Sequence, residues 1–288
     1  MLNKAVEAIE EKIASLKDRT AMVIKDIDGY LSHPGAKTKL RPRIVQNKGY
    51  SSFSIIWQRL VYYNFTNRRA ILKAIRKGRG YLVPKSRLFS HCRNCASWEK
   101  DYIWEKEREF ARVRRKVALL SQGVSALKQC CALWPAVTPE QCDTPTPGTA
   151  VACMEPQEVV DTLPMVFMSL KDFTHREAAE VFSRLSGDVR TKLRPMIVSG
   201  NDDGTFTVEW VKHNGCGPET GQPMERQIPR EGRYSIRRSR LLAHCRVCEE
   251  EEQEFIWEKE LEFARVRKQV DLLTQAITAL KQYAKEAD

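Results

Sequence analysis

Ile103-Trp104-Glu105-Lys106-Glu107 returns later in the chain as Ile256-Trp257-Glu258-Lys259-Glu260. The offset is 153 residues, and it holds for every other stretch that recurs. Upstream, His91-Cys92-Arg93-Asn94-Cys95 becomes His244-Cys245-Arg246-Val247-Cys248, and Lys39-Leu40-Arg41-Pro42 becomes Lys192-Leu193-Arg194-Pro195. Downstream, Ala126-Leu127-Lys128-Gln129 becomes Ala279-Leu280-Lys281-Gln282. A fixed period with no net insertion marks a tandem duplication, and it outranks any local pattern. One module therefore spans residues 1–129 and its copy spans 154–288. Residues 130–153 are rich in Pro, Thr and Cys and read as a linker.

Within each module the periodicity changes twice. Ile9, Ile13, Leu16, Val23, Ile27 and Tyr30 step mostly by three and four, which predicts a helix over Leu2 to Leu31. Its counterpart runs from about Glu155 to Leu185, with a break expected at Pro164. Phe53, Ile55 and Trp57 then alternate with other residues, as do Phe206, Val208 and Trp210, the pattern of a half-buried strand. Gly49, and Asp202-Asp203-Gly204 in the copy, supply the turn from a preceding strand over Leu40 to Val45. Third strands are expected at Ile71 to Ile75 and Met224 to Ile228. The segments 62–69 and 214–223 read as divergent loops. Last comes a long helix over Ser97 to Gln129 and Glu250 to Lys285. Ile103, Phe110, Val113, Val117, Leu120, Val124 and Leu127 keep a heptad pattern there, matched by Ile256, Phe263, Val266, Val270, Leu273, Ile277 and Leu280. The expected fold is α+β: two tandem repeats of helix, small antiparallel β-sheet and long helix, the helices packing as a bundle or coiled-coil stalk.

The chain has 288 residues, 42% apolar and 30% charged, with a formal net charge of +11. That composition supports two domains with cores of their own. A basic balance points to a polyanionic partner. No apolar run reaches the roughly 20 residues that cross a bilayer, and the first residues lack the pattern of a secretory signal. A cytoplasmic protein without a membrane partner is the expectation.

From Lys37 to Trp98 there is no Asp or Glu. Lys37, Lys39, Arg41, Arg43, Lys48, Arg59, Arg68 and Arg69 lie in that stretch, followed by Lys73, Arg76, Lys77, Arg79, Lys85, Arg87 and Arg93. Phosphate binding draws on clustered cations that release condensed counterions, so this head is the candidate nucleic-acid surface. Interleaved Tyr62 and Tyr63 have no aromatic equivalents in the copy and are expected to be exposed, whereas Phe53 and Trp57 read as core. Acids dilute the second head, where Asp202, Asp203, Glu209, Glu219, Glu225 and Glu231 accompany the arginines. Cations occupied in both copies are the stronger candidates: Lys37/Arg190, Lys39/Lys192, Arg41/Arg194, Lys85/Arg238 and Arg87/Arg240. Any one of them serves equally well as a structural partner for the acidic start of the long helix.

Nine cysteines in a chain of this size favour free thiols or metal ligands over a disulfide framework. Cys92-x-x-Cys95 and Cys245-x-x-Cys248 have metal-knuckle spacing. One pair cannot complete a tetrahedral zinc site, but four thiolates brought together would. The alternative is small buried residues where sheet meets helix, with no cofactor. No enzyme is expected. The five histidines are scattered, nothing nearby activates Tyr62 or Tyr63, and there is no Gly-rich phosphate loop with a Lys. The repeated Trp104-Glu105-Lys106-Glu107 reads as a solvated helix face of pairing acids and bases.

Lys39-Leu40-Arg41-Pro42, Phe53-x-Ile55-x-Trp57, Gly78-x-Gly80-Tyr81, Pro84-x-Ser86-Arg87, Trp98-Glu99-Lys100 and Glu109-Phe110-Ala111-x-x-Arg114 together resemble the MobI-like proteins of conjugative plasmids and integrative elements. In the copy, Glu231, Arg233 and Arg237 replace Gly78, Gly80 and Pro84. The resemblance implies an auxiliary factor that helps a relaxase or another transfer protein recognise the origin of transfer on double-stranded DNA. Two other functions fit the residues: an RNA-binding or transcription-regulating protein, and a coiled-coil scaffold whose basic surface meets an acidic protein.

Overall fold

The computed structural model describes residues 1–46, 52–64, 69–78, 80–134, 155–186, 192–200, 205–216, 223–245 and 248–286. Among these it describes all side chains but those of 62–64, 69–71, 186, 214–216 and 223–224. Residues 130–133 of the expected linker are helical instead, while the rest of it beyond residue 134, and the turns at Gly49 and Asp202-Asp203-Gly204, lie outside the described residues. Two compact units are present, the first built on Met1–Ser125 and the second on Glu158–Thr278.

In the first unit, helix α1 (Leu2–Leu31) buries Ile9, Ile13, Ile27 and Leu31 and stops just before Pro34-Gly35. Strands β1 (Leu40–Gln46), β2 (Phe53–Asn64) and β3 (Arg69–Ile75) follow, forming an antiparallel sheet in the order β1-β2-β3. Strand alternation sends Leu40, Phe53, Ile55, Trp57 and Ile75 to one buried face. Pro42 faces Trp57 from β1, an edge strand, where its missing N–H need not break the ladder. A short helix α2 (Lys85–Ser90) leads to the long helix α3 (Ser97–Leu133). Ile103, Phe110, Val117, Leu120 and Val124 are buried along α3, with the Trp57 and Phe110 rings 5.8 Å apart.

The second unit repeats this order with α4 (Pro156–Ser186), β4 (Leu193–Ser199), β5 (Phe206–Cys216), β6 (Pro223–Gln227), α5 (Arg238–Leu242) and α6 (Glu250–Lys285). Its sheet has the same antiparallel order, β4-β5-β6. Even the register is copied: Leu40 pairs with Arg59 and Pro42 with Trp57, Leu193 with Lys212 and Pro195 with Trp210.

Three further expectations are corrected. The segments read as loops are partly strand, because β2 continues to Asn64 and β5 to Cys216 through register shifts that absorb an irregularity in each ladder. Helix α4 is continuous through Pro164, whose ring lies on the exposed side while Val159, Val160, Leu163, Val166 and Phe167 hold the buried side across it. The short helices α2 and α5 were not legible, being too brief to show a period. Most important, Glu107 is no solvated acid; it is fully buried.

Glu107 and Arg114 stand two turns apart on one face of α3 and pair at 2.8 Å, both side chains almost wholly out of water. Trp57 donates its indole N–H to Glu107 Oε2 at 2.7 Å, and the Val83 amide donates to Oε1 at 2.6 Å. Arg114 donates through Nε to the Ile55 carbonyl at 2.8 Å and through Nη1 to the Tyr81 carbonyl at 2.7 Å. The second unit repeats each bond 153 residues on. Glu260 accepts from Trp210 and Ile236, and Arg267 donates to Glu260, Val208 and Tyr234. A buried ion pair recovers its desolvation cost only with such full hydrogen bonding. Gly80, the one described glycine at positive φ (+93°), precedes Tyr81 and turns the chain so that its carbonyl meets Arg114.

Glu107→Ala strands the Arg114 charge and the Trp57 and Val83 donors, so it should cost about 3–5 kcal/mol, read as a lowered urea midpoint. The double variant Glu107→Leu/Arg114→Met should lose less than the single one, because no unpaired charge remains. Gly80→Ala, strained at its left-handed φ, should cost about 1–2 kcal/mol in the same assay.

Candidate nucleic-acid interface

The first head carries its cations on β1–β3, α2 and the segments around them, and they fall into two groups. Arg41, Arg87, Lys85 and Lys77 have structural neighbours. Arg41 donates to the carbonyls of Leu40 and Leu31 and lies 3.6 Å from Asp28, which ties β1 to the end of α1. Arg87 donates to the Arg76 carbonyl at 2.9 Å. The Lys85 ammonium sits over the Phe89 and Trp104 rings, and that of Lys77 over Tyr81. In contrast, Lys37, Lys39, Arg43, Arg59, Lys73, Arg76 and Arg93 are exposed. Among the described residues, Arg41 alone of the cations between Lys37 and Trp98 has a carboxylate within 4.0 Å. Lys48, Arg68 and Arg79 lie outside the described residues, as do the side chains of Arg69, Tyr62 and Tyr63.

The second head pairs most of its described arginines, although Arg226 is exposed without a carboxylate partner among the described residues. Arg194 pairs with Glu225, Arg238 with Glu254, Arg230 with Glu209 at 2.8 Å, and Arg233 with Asp271 at 2.8 Å. Arg237 and Arg240 share Glu231. The positions equivalent to Glu225, Glu209, Glu231 and Asp271 hold Leu72, Ile56, Gly78 and Ala118 in the first copy. Four carboxylates that neutralise the second head thus have uncharged counterparts in the first. Lys192 is exposed. Arg190 lies outside the described residues.

In the first head the cations converge on a pocket of about 610 Å3 where the sheet meets the turn between α2 and α3. Lys37 and Lys39 line it from the entry to β1, Arg59 from β2, and His91, Arg93 and Asn94 from the turn, with Cys92 and Cys95 also at its wall. Lys73 is the β3 partner of Arg59 and adds its charge. Glu99 fixes the wall without opening a carboxylate to solvent. It is fully buried and accepts the amides of Lys37 and Thr38 at 2.8 Å each and that of Ala96 at 2.7 Å. Partial burial, then the fields of Arg59 and Lys73, hold the His91 imidazolium below its ordinary range.

The cysteines of the knuckle are buried, free thiols in both copies. Burial, and next the hydrogen bond that the Cys92 thiol donates to the neighbouring Cys95, push the Cys92 thiol up to about 12. Cys92 Sγ also lies 3.4 Å from Thr38 Oγ1. Among the described residues no group of three or more His, Cys, Asp or Glu is placed to hold a metal ion.

Arg59, His91, Arg93 and Asn94 came forward only in three dimensions as members of one site. A signal for them existed, because Arg59 and Arg93 have cationic counterparts, Lys212 and Arg246, at the repeat offset. Glu107 and Arg114 had one too. They fall on the 103, 107, 110, 114, 117 steps of the buried stripe, and both recur.

A family model described as MobI protein matches the chain over residues 6–128 and again over residues 170–281. No curated protein and no solved structure matches the chain. Among the described residues, no helix is long and apolar enough to cross a membrane.

His91 should titrate below the ordinary histidine value of about 6.5, and Arg59→Gln should move it upward, as followed by imidazole proton NMR. The folded chain then binds this proton less readily than the unfolded chain. The His91 contribution therefore lowers stability as pH falls through the unfolded value, and His91→Asn should flatten that part of the pH profile.

Proposed function

The chain belongs to the MobI family, once in each half, which gives it a role in conjugative mobilisation, and from that premise we propose that its first head binds double-stranded DNA. It acts in this reading as a non-catalytic accessory factor that helps a relaxase or another transfer protein engage the origin of transfer. The observation that carries the reading is the contrast in counter-charge between the heads. Exposed Arg43, Arg59, Lys73 and Arg76 have no carboxylate within 4.0 Å among the described residues, whereas Arg194, Arg230, Arg233, Arg237, Arg238 and Arg240 are all paired. A cation already neutralised inside the protein releases no counterion from DNA; an unpaired one does. Phosphate contacts of this kind position a protein on the duplex, and base contacts would add the origin preference.

This division of labour also suits the repeat. The two copies keep the same scaffold, so the second head is free to serve a protein contact or a weaker DNA contact. RNA is the competing ligand, and comparison of duplex DNA with duplex RNA separates the two. A scaffold that meets only acidic proteins would form no complex with DNA at moderate salt.

Binding to an origin-bearing duplex should weaken steeply with salt. The triple variant Arg43→Gln/Lys73→Gln/Arg76→Gln should reduce the slope of log K against log salt by about 2–3, at about 0.9 for each phosphate that is no longer neutralised. Lys192→Gln should leave the slope nearly unchanged. Glu231→Gln, which releases Arg237 and Arg240, should strengthen binding at low salt. A salt-independent complex, or equal weakening by substitutions in either head, would remove the assignment of the first head.

A further inference from the structure

We infer that the pocket between the β1 entry, β2 and the α2–α3 turn is a seat for a phosphate monoester, the doubly charged group found at the end of a nucleic-acid strand. This rests on the reading of the first head as a nucleic-acid binder, but it names a site and a ligand that a general basic surface does not require.

Charge and shape both point there. Lys37, Lys39, Arg59 and Arg93 line one concavity together with His91, and no carboxylate lines it. Backbone diesters carry one charge each and stand along a ridge, which a convex or flat cationic face meets well. Several donors converging from three chain segments match a compact dianion better, since charge-assisted hydrogen bonds can then reach all of its oxygens. A volume of about 610 Å3 exceeds a lone phosphate. It falls within the roughly 300–1,000 Å3 of small-ligand sites, with room for the attached nucleoside.

The wall is preorganised. Glu99 holds the backbone of Lys37 and Thr38 through two 2.8 Å bonds, and the Cys95 amide donates to the Cys92 carbonyl at 3.2 Å. A fixed backbone spares a ligand part of the cost of ordering the chain that carries these side chains.

The repeat supplies an independent observation. Lys37, Lys39, Arg59, His91 and Arg93 correspond to Arg190, Lys192, Lys212, His244 and Arg246. Every cation and the histidine of the pocket are retained in kind, although Gly78, Gly80, Pro84 and exposed Arg43 are not. A merely solvated rim would have no reason to keep its charge while the neighbouring turns changed.

The test uses the full-length chain and short duplexes of one sequence that end in 5′-phosphate, 3′-phosphate or hydroxyl, titrated by fluorescence anisotropy. At least one phosphorylated end should bind about tenfold tighter than hydroxyl ends, the worth of about one charge-assisted hydrogen bond. Arg59→Gln/Arg93→Gln should reduce that difference, and adding Lys212→Gln/Arg246→Gln should erase it, while hydroxyl-ended duplex still binds. Arg43→Gln/Arg76→Gln should weaken all duplexes alike and keep the difference. Thermal unfolding of each variant checks that these changes leave the fold intact. Equal affinity for phosphate and hydroxyl ends overturns the pocket assignment and leaves DNA binding standing. A nucleoside monophosphate that binds with the same dependence on Arg59 and Arg93, with no duplex binding, keeps the monoester pocket, assigns it to a free nucleotide, and removes the DNA reading.

Discussion

Glu107 and Arg114 are the constraint on which the first unit depends, and Glu260 and Arg267 serve the second identically. Neither side chain could remain charged and buried alone. Together they use nearly every donor and acceptor they have on the sheet and its return loop: the Trp57 indole, the Ile55 and Tyr81 carbonyls and the Val83 amide. The pair therefore fixes the position of a three-stranded sheet on a helix, including the sheet's distance, tilt and register. Hydrophobic contact between Trp57 and Phe110 supplies driving force, but it would tolerate sliding; directional bonds to a buried charge would not.

That constraint explains how the heads diverged. With the sheet locked to the long helix through six equivalent positions in each copy, the outward face could change without loss of the fold. One copy placed Glu209, Glu225, Glu231 and Asp271 among its arginines, and the other placed Ile56, Leu72, Gly78 and Ala118 at the same positions. Both heads remain rich in cations by count. Their fields differ because a cation within a salt bridge contributes little at a distance, while an unpaired one contributes its whole charge.

The pocket follows from the same lock. It lies where the sheet edge meets the chain entering α3, and Glu99 at the start of that helix holds the β1 entry in place. Buried thiols of Cys92 and Cys95 pack the turn from behind. They are buried free thiols at the pocket wall, and the turn that carries them also carries His91 and Arg93.

By itself the sequence determined the duplication, the order of helix, sheet and long helix, the buried strand faces, and the stretch from Lys37 to Trp98 that lacks acid. Each of these is a property of neighbours along the chain or of a fixed period, so it survives without coordinates. Only tertiary structure decided which acids are buried and which cations are free. Trp104-Glu105-Lys106-Glu107 reads locally as a polar face, and Glu107 departs from that because a sheet lies over its side of α3. Arg194 and Glu225 stand on different strands, and Arg233 meets Asp271 from a different element. Pairing of charges, like the convergence of Lys39, Arg59 and Arg93 on one pocket, depends on distances between residues far apart in sequence. Those distances exist only after the chain has packed.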